Sequence, residues 1–232
     1  MVFDRGNVTH GSEGWATAHE AYTNVIGEMT NPPSSKSFKL RSKCWDGKEW
    51  QRNGVKPIKK QFLERMKAAK WRSEEPLSLD EEIAKATGRE PWITYPERTP
   101  LTEVLHAGVG GLDFWVKSRE ERIGIEWETG NISSSHRSMN KLCLSLMYGL
   151  LDACVLIVPS RLMYEHLTDR IGNWKELSPY LTLWKHAGSG VKRGLLAVTI
   201  VEHDSLNEMI PYIGRGRDGR SAEGKRKLGK ER

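Results

Sequence analysis

Asp113, Glu126 and Glu128 are the residues of this 232-residue chain whose types and spacing could do chemistry together. The two glutamates flank Trp127 in the stretch IEWETGNISSSHRS, residues 125–138. Side chains alternate faces along a strand, so both glutamates fall on one face, opposite Ile125 and Trp127. Like charges side by side repel unless open water or a cation neutralises them. Asp113 joins the pair if 111–130 is a hairpin. Leu112, Phe114 and Val116 alternate with Asp113, Trp115 and Lys117; residues 117–121 form a polar turn; and RIGIEWETG returns as the second strand. Three carboxylates converging on one point make a hard, oxygen-rich site suited to Mg²⁺, which can activate water and stabilise charge developing on a phosphate. The D…E-x-E spacing is not specific, and on spacing alone a solvated acidic face is the commoner reading.

Other chemistries find less support. GSGVKRG (188–194) lacks the G-K-[ST] order of a phosphate-binding loop and reads as a turn before a strand. The seven histidines have no zinc-ligand spacing, and no C-x-x-C occurs. Ser135 and His136 are adjacent but lack an acyl-transfer context.

The elements around the hairpin must position it. Periodicity predicts a helix over 12–30 and a loop to about Asn53. An amphipathic helix follows over 55–71, with Pro57 in its first turn and Ile58, Phe62, Met66 and Ala69 as its stripe. A short acidic helix is expected over 78–88 and another helix over 135–151. The continuous apolar run ACVLIVP (153–159) reads as a strand covered on both faces. Helices over 161–171 and 174–186 precede a strand in GLLAVTIVEHD (194–204). The order hairpin–helix–strand–helix–strand describes an α/β domain, a mixed central sheet flanked by helices. Ser133, Ser134 or Ser135 is the expected N-cap of the 135–151 helix, where a phosphate could sit, unless the serine merely caps. Asn131, His136 and Arg137 could reach base edges. The apolar side from Met139 to Leu150 is either core or subunit interface.

Composition narrows the setting. Hydrophobic residues make up 38% of the chain, with nine tryptophans, as in a globular protein. The net charge is +6, and residues 214–232 hold eight basic residues against three acidic ones, so the basicity is mostly a tail. We expect a folded unit over 1–213 and a basic, flexible tail over 214–232. That tail, with Arg215, Arg217 and Arg220, is either a solubilising terminus or an arm that wraps nucleic acid. The best apolar run, Leu150 to Val158, is short, contains Asp152 and stops at Pro159, so no membrane is expected. The N-terminal stretch lacks the apolar region of a signal peptide. Three cysteines without paired spacing, Cys143 and Cys154 in apolar stretches, suit buried free thiols and a reducing cytoplasm.

The run LDFWVKSREERIGIEWETGNISSSHRSMNK (112–141) resembles the catalytic hairpin of type II restriction endonucleases of the BglII and BstYI kind, in the PD-(D/E)xK nuclease superfamily. There an Asp-Phe-x-Lys strand leads to an Ile/Val-Glu-Val-Gln-Phe strand and a polar DNA-facing segment. VKPIKKQFLERMKAAKW is similar to the family's Pro-containing helix, and PYIGRGRDGR to its Arg-Gly-rich C-terminal segment. The resemblance implies a restriction-endonuclease-like core and Mg²⁺-dependent cleavage of double-stranded DNA, with Asp113 and Glu126 as the metal-binding pair. Glu128 stands where those relatives have glutamine and the more distant BamHI has glutamate. A fourth group upstream of the aspartate is implied, but no residue stands out for it. The resemblance also implies DNA roles for Asn131 and Arg137, a homodimer, a short palindromic site built around GATC, and a cognate DNA methyltransferase in the same system. The rival readings are a DNA-binding module or regulator without catalysis, and a repair or recombination nuclease on the same core. Three carboxylates would weaken DNA binding unless a metal filled them, which disfavours the first.

Overall fold

In a computed structural model, residues 1–69, 71, 111–168 and 171–215 are described. The expected helix over 78–88, Arg217 and Arg220 lie outside them.

Five strands form the central sheet: β1 (Phe3–Arg5), β2 (Phe114–Ser118), β3 (Glu121–Trp127), β4 (Ala153–Pro159) and β5 (Gly194–Val201). Their order is β1-β5-β4-β3-β2. The β3–β4 and β4–β5 pairs are parallel; the β2–β3 hairpin and the β1–β5 edge are antiparallel. The sheet is therefore mixed, as expected. Every residue of ACVLIVP is buried, because β4 has strands on both sides and helices on both faces.

One face carries Phe114, Val116, Ile123, Ile125, Trp127, Val155 and Ile157, and two helices cover it: α1 (Glu13–Gly27) and α2 (Lys56–Ala68). Trp15, Tyr22, Ile58, Phe62 and Met66 fill that side, with the Phe62 and Trp127 rings 4.8 Å apart. On the other face, Cys154, Leu156, Val158 and Leu196 meet Met139, Leu142 and Leu146 of α3 (Ile132–Met147) and Trp184 of α4 (Leu181–Ala187). The apolar side of α3 is thus core. Cys143 and Cys154 are buried and free. No helix among the described residues is long and apolar enough to cross a membrane.

Several local expectations need correction. The helix expected over 161–171 stops at Tyr164, because the following residues turn to pair with the segment before α2 through an Asn53–Leu167 bridge. The helix over 174–186 is interrupted: Trp174–Leu177, a 3₁₀ turn at Ser178–Tyr180, then α4. Pro179, which has no N–H to give, sits in that turn. The turn of the β2–β3 hairpin is only Arg119 and Glu120. The loop before α2 contains two short strand pairings, Cys44–Trp45 with Trp50–Gln51, and Lys39–Leu40 with Ser205–Leu206.

Candidate active site

The hairpin ties Asp113 to Glu126 and sets their carboxylates side by side at its end. Asp113 lies just before β2, and Phe114 pairs with Ile125, so Asp113 faces the end of β3. Its Oδ2 accepts from the Trp127 amide at 2.9 Å, and its own amide donates to Glu126 Oε1 at 3.3 Å. Glu126 is held over Leu156 of β4 and points to the α3 side of the sheet. Glu128 lies one residue beyond β3, tied to β4 by its amide bond to the Ile157 carbonyl at 2.9 Å. The period-two pattern thus places Asp113, Glu126 and Glu128 at one end of the hairpin.

Each member of the Asp113–Glu126 pair has a lysine that the sequence reading missed. Lys59, from the first turns of α2, reaches Asp113 Oδ1 at 2.5 Å. Lys141, from α3, reaches Glu126 Oε1 at 2.5 Å and donates to the Gly111 carbonyl at 2.7 Å. The Lys141–Glu126 side chains are each only 9% exposed, against 23% and 20% for Lys59 and Asp113. Glu128 instead accepts from the Gly130 amide through Oε1, while its Oε2 is buried without a hydrogen bond. Among the described residues, no three acidic, histidine or cysteine side chains stand as a ready-made cage for an ion. The expected three-way convergence is accordingly seen as an adjoining pair, with the third carboxylate at the next position on the same face. Like charges at one hairpin end take the nearest counter-charge the chain offers.

Electrostatics fit that geometry. Burial pushes the Glu126 carboxyl above its ordinary range, and the Asp113 charge adds to the push, while Lys141 and Lys59 oppose it. Burial also raises Glu128, opposed by the Gly130 amide, Ser135 and Thr129. The chain has therefore buried acidic groups that gain from any further positive charge. Glu128 Oε2 lacks a partner, and the two other carboxylates are drawn to cations, so the donor set suits a hard divalent ion.

The polar segment beyond β3 divides. The N-cap of α3 is Asn131, not one of the serines: its side chain accepts from the Ser134 amide at 3.2 Å. Asparagine is as good a cap as serine, and here it directly precedes the first helical residue. Ser133 and Arg137 are exposed, and Arg137 donates to the Ser134 hydroxyl at 3.2 Å. Ser135, by contrast, is fully buried and packs against Gly172, where a Cβ would come within 1.8 Å of its hydroxyl. It faces the interior beside Glu128 and not a duplex. His136 is half-buried, its ring edge-on to Tyr180 at 4.4 Å and 5.4 Å from Trp184. Arg215 donates to the Trp50 carbonyl at 3.5 Å, at the end of the described chain.

Residues 1–220 match the restriction endonuclease BamHI family. The chain belongs to that family. Two type II restriction enzymes are similar to it along most of its length. OkrAI from Oceanobacter kriegii is 37% identical over 169 residues, 73% of this chain and 74% of that protein. BamHI from Bacillus amyloliquefaciens is 32% identical over 207 residues, 87% of this chain and 83% of the relative. The resemblance read from the hairpin is borne out, and so is the mixed α/β restriction-endonuclease fold. Members of the BamHI family are type II restriction endonucleases, hydrolases that cut duplex DNA at defined sites and use a divalent metal.

Proposed function

We propose that this restriction endonuclease cleaves a short palindromic site in duplex DNA, one built around GATC, with Mg²⁺ held by Asp113, Glu126 and Glu128. The observation that carries this reading is the hairpin end itself, where three acidic side chains sit on one face and two lysines already answer the charge of two of them. Mg²⁺ supplies a Lewis acid for the scissile phosphate. The chain's own residues do the rest. The Trp127 amide fixes Asp113 and Lys141 fixes Glu126, so neither carboxylate must be reorganised on binding DNA. Glu128 Oε2, buried and unpartnered, accepts a proton from the attacking water, a task its raised proton affinity suits.

In this reading the exposed Asn131, Ser133 and Arg137 at the start of α3, with the half-buried Ser134, meet the duplex, together with Arg215, Arg217 and Arg220 of the basic 214–232 tail. His136 contributes from its aromatic niche, and Ser135 acts from behind, beside Glu128. A homodimer follows from the chemistry, because one such site cuts one strand and a two-fold protein matches a palindrome. A methyltransferase protecting the same sequence belongs with it, in a reducing cytoplasm that keeps the three thiols free.

Digestion of phage DNA tests the reading. Discrete fragments that need Mg²⁺ and disappear in Asp113→Asn are expected. A smear of random products would point to a repair-type nuclease, and intact DNA bound at every metal concentration would point to a binding module.

A further inference from the structure

A second hairpin stands out because the active site does not use it. Cys44–Trp45 and Trp50–Gln51 pair antiparallel, with Trp45 directly opposite Trp50. Their rings lie 5.7 Å apart at 61°, yet the two residues remain 52% and 48% exposed. The ribbon is not loose. Asp46 Oδ1 accepts from the Lys48 and Glu49 amides, both at 2.8 Å; its Oδ2 accepts from Gln51 at 2.5 Å; and Gly47 takes the positive φ of 93° that the turn requires. Leaving two adjacent indoles in water forgoes burial worth about 25 cal/mol per Å² of apolar surface, so a rigid pair held outward marks a contact surface.

Charge selects the occupant. Within 41–52 the acidic side chains serve the ribbon itself: Asp46 holds the turn and Glu49 faces Arg215 at 3.9 Å. Lys43 lies over the Trp50 ring at 5.9 Å and pairs with the half-buried Glu165 at 3.8 Å, a pair that a phosphate can displace in water; Arg41 lies over Tyr212 at 4.9 Å, and Lys48 is exposed. The C-terminal segment also passes this ribbon. Gly54 donates to the Ile213 carbonyl at 2.8 Å, the Gly214 carbonyl lies against Gly54, and Arg215 donates to the Trp50 carbonyl. The stretch with eight basic residues against three acidic ones therefore starts at the tryptophan pair. The same segment runs through Val55 into α2, whose Lys59 reaches Asp113. Aromatic faces interleaved with cations, on a two-stranded ribbon narrow enough for a groove, fit nucleic acid better than a second basic copy of this chain.

We propose that the Trp45–Trp50 ribbon, with Lys43 and Arg215, is a duplex-binding platform that grips DNA flanking the cleaved site. The indoles pack on sugars and base edges, and the cations meet phosphates. The proposal rests on the restriction-nuclease reading, and the two fail separately: wild-type digestion decides the nuclease, and flank dependence decides the platform.

The experiment uses the full chain and two synthetic duplexes centred on a site that the wild-type protein cuts in plasmid DNA. One ends close to the site and the other extends well beyond it. Without metal, wild type should bind the long duplex more tightly. Trp45→Ala/Trp50→Ala should lose about tenfold in affinity on the long duplex, equivalent to roughly 1.4 kcal/mol, and little on the short one. Trp45→Phe/Trp50→Phe should recover most of that loss, and Lys43→Ala should lower the salt slope on the long duplex by about one. Equal affinities for wild type and the alanine variant on both duplexes would overturn the proposal. So would an equal loss on both duplexes, or a change confined to the sedimentation of the free protein. A matched urea midpoint checks that the alanine variant is folded; if it is not, the phenylalanine and Lys43 variants decide.

Discussion

The two lysine–carboxylate pairs of the hairpin look alike in distance and differ in surroundings. Lys59–Asp113 and Lys141–Glu126 are both 2.5 Å contacts, but the first is about a fifth exposed and the second is almost closed to water. Lys141 is also committed on its other side, to the Gly111 carbonyl. A pair still a fifth exposed can exchange its cation for another at less cost than a closed one, since some water screens both charges. A closed pair cannot lose one partner without stranding the other in a low-dielectric interior. The same carboxylate–ammonium chemistry therefore serves two ends. One lysine is a replaceable neighbour at the mouth of the site, and the other is a pin through its floor.

The harshest way to test that difference is to remove the carboxylates. Asp113→Asn and Glu126→Ala should each reduce cleavage below detection while duplex binding persists, because the contacts to phosphates and bases lie elsewhere. Fragment yield and a gel-shift titration measure the two properties; wild-type rates in either variant would remove that residue from the active site. Replacing the lysines separates the pairs. Well above pH 7, where Glu126 is ionised, Lys141→Met should lower stability by about 3–5 kcal/mol, the usual result of leaving a buried charge unpaired. Lys59→Met should cost no more than about 1 kcal/mol. Urea midpoints give both numbers, and equal losses would erase the distinction. Adding Glu126→Gln to Lys141→Met should restore much of the stability, since the stranded charge is then gone.

Acidity sharpens the same contrast. The Glu126 carboxyl is raised in the fold, to about 7, chiefly by burial and then by Asp113. A raised folded value means that the native state holds a proton the unfolded chain has already released. The associated stability is full below the ordinary glutamate value and is lost as pH climbs towards about 7. The wild-type stability minus that of Glu126→Gln should fall across this interval, read from urea midpoints at each pH. Cleavage should move oppositely, because ligation needs the ionised carboxylate. A stability difference independent of pH would mean that the two lysines cancel the effect of burial and Asp113, and one that rose with pH would mean that they outweigh it.

Much of this candidate site is legible in the sequence, and what is not has a common cause. Period-two alternation located the hairpin, and with it Asp113, Glu126 and Glu128, because strand geometry is local. ACVLIVP and the Pro57-led helix were legible for the same reason. The lysines were not, since Lys59 is 54 residues from Asp113 and its helix showed basic residues on several sides. Strand β1 was missed because three residues carry too little pattern, and it exists only through pairing with β5 at the far end of the chain. The buried position of Ser135 depends on Gly172, a contact no spacing rule could supply. Asn131 could have been found, because a capping residue directly before Ile132 is a local signal that the neighbouring serines obscured.

The smallest effect concerns the carboxylate that has no lysine. Glu128 is buried, its Oε1 is occupied by the Gly130 amide, and its Oε2 makes no hydrogen bond. Glu128→Gln keeps the shape and the acceptor for Gly130 while removing the charge and the basicity. If Oε2 takes a proton from the attacking water, or helps to hold the metal, the rate should fall at least about tenfold, equivalent to roughly 1.4 kcal/mol of barrier. The Mg²⁺ concentration needed for half-maximal cleavage should rise as well. Those two readouts separate the roles. A slower rate at unchanged metal demand would make Glu128 a base alone, and a higher demand with full rate at saturation would make it a ligand alone. Glu128→Lys puts a third ammonium beside two that already have carboxylates, so it should cost more than the glutamine. A glutamine variant that cleaves like wild type at the same Mg²⁺ would leave Asp113 and Glu126, the two carboxylates with lysines, as the whole of the acidic machinery.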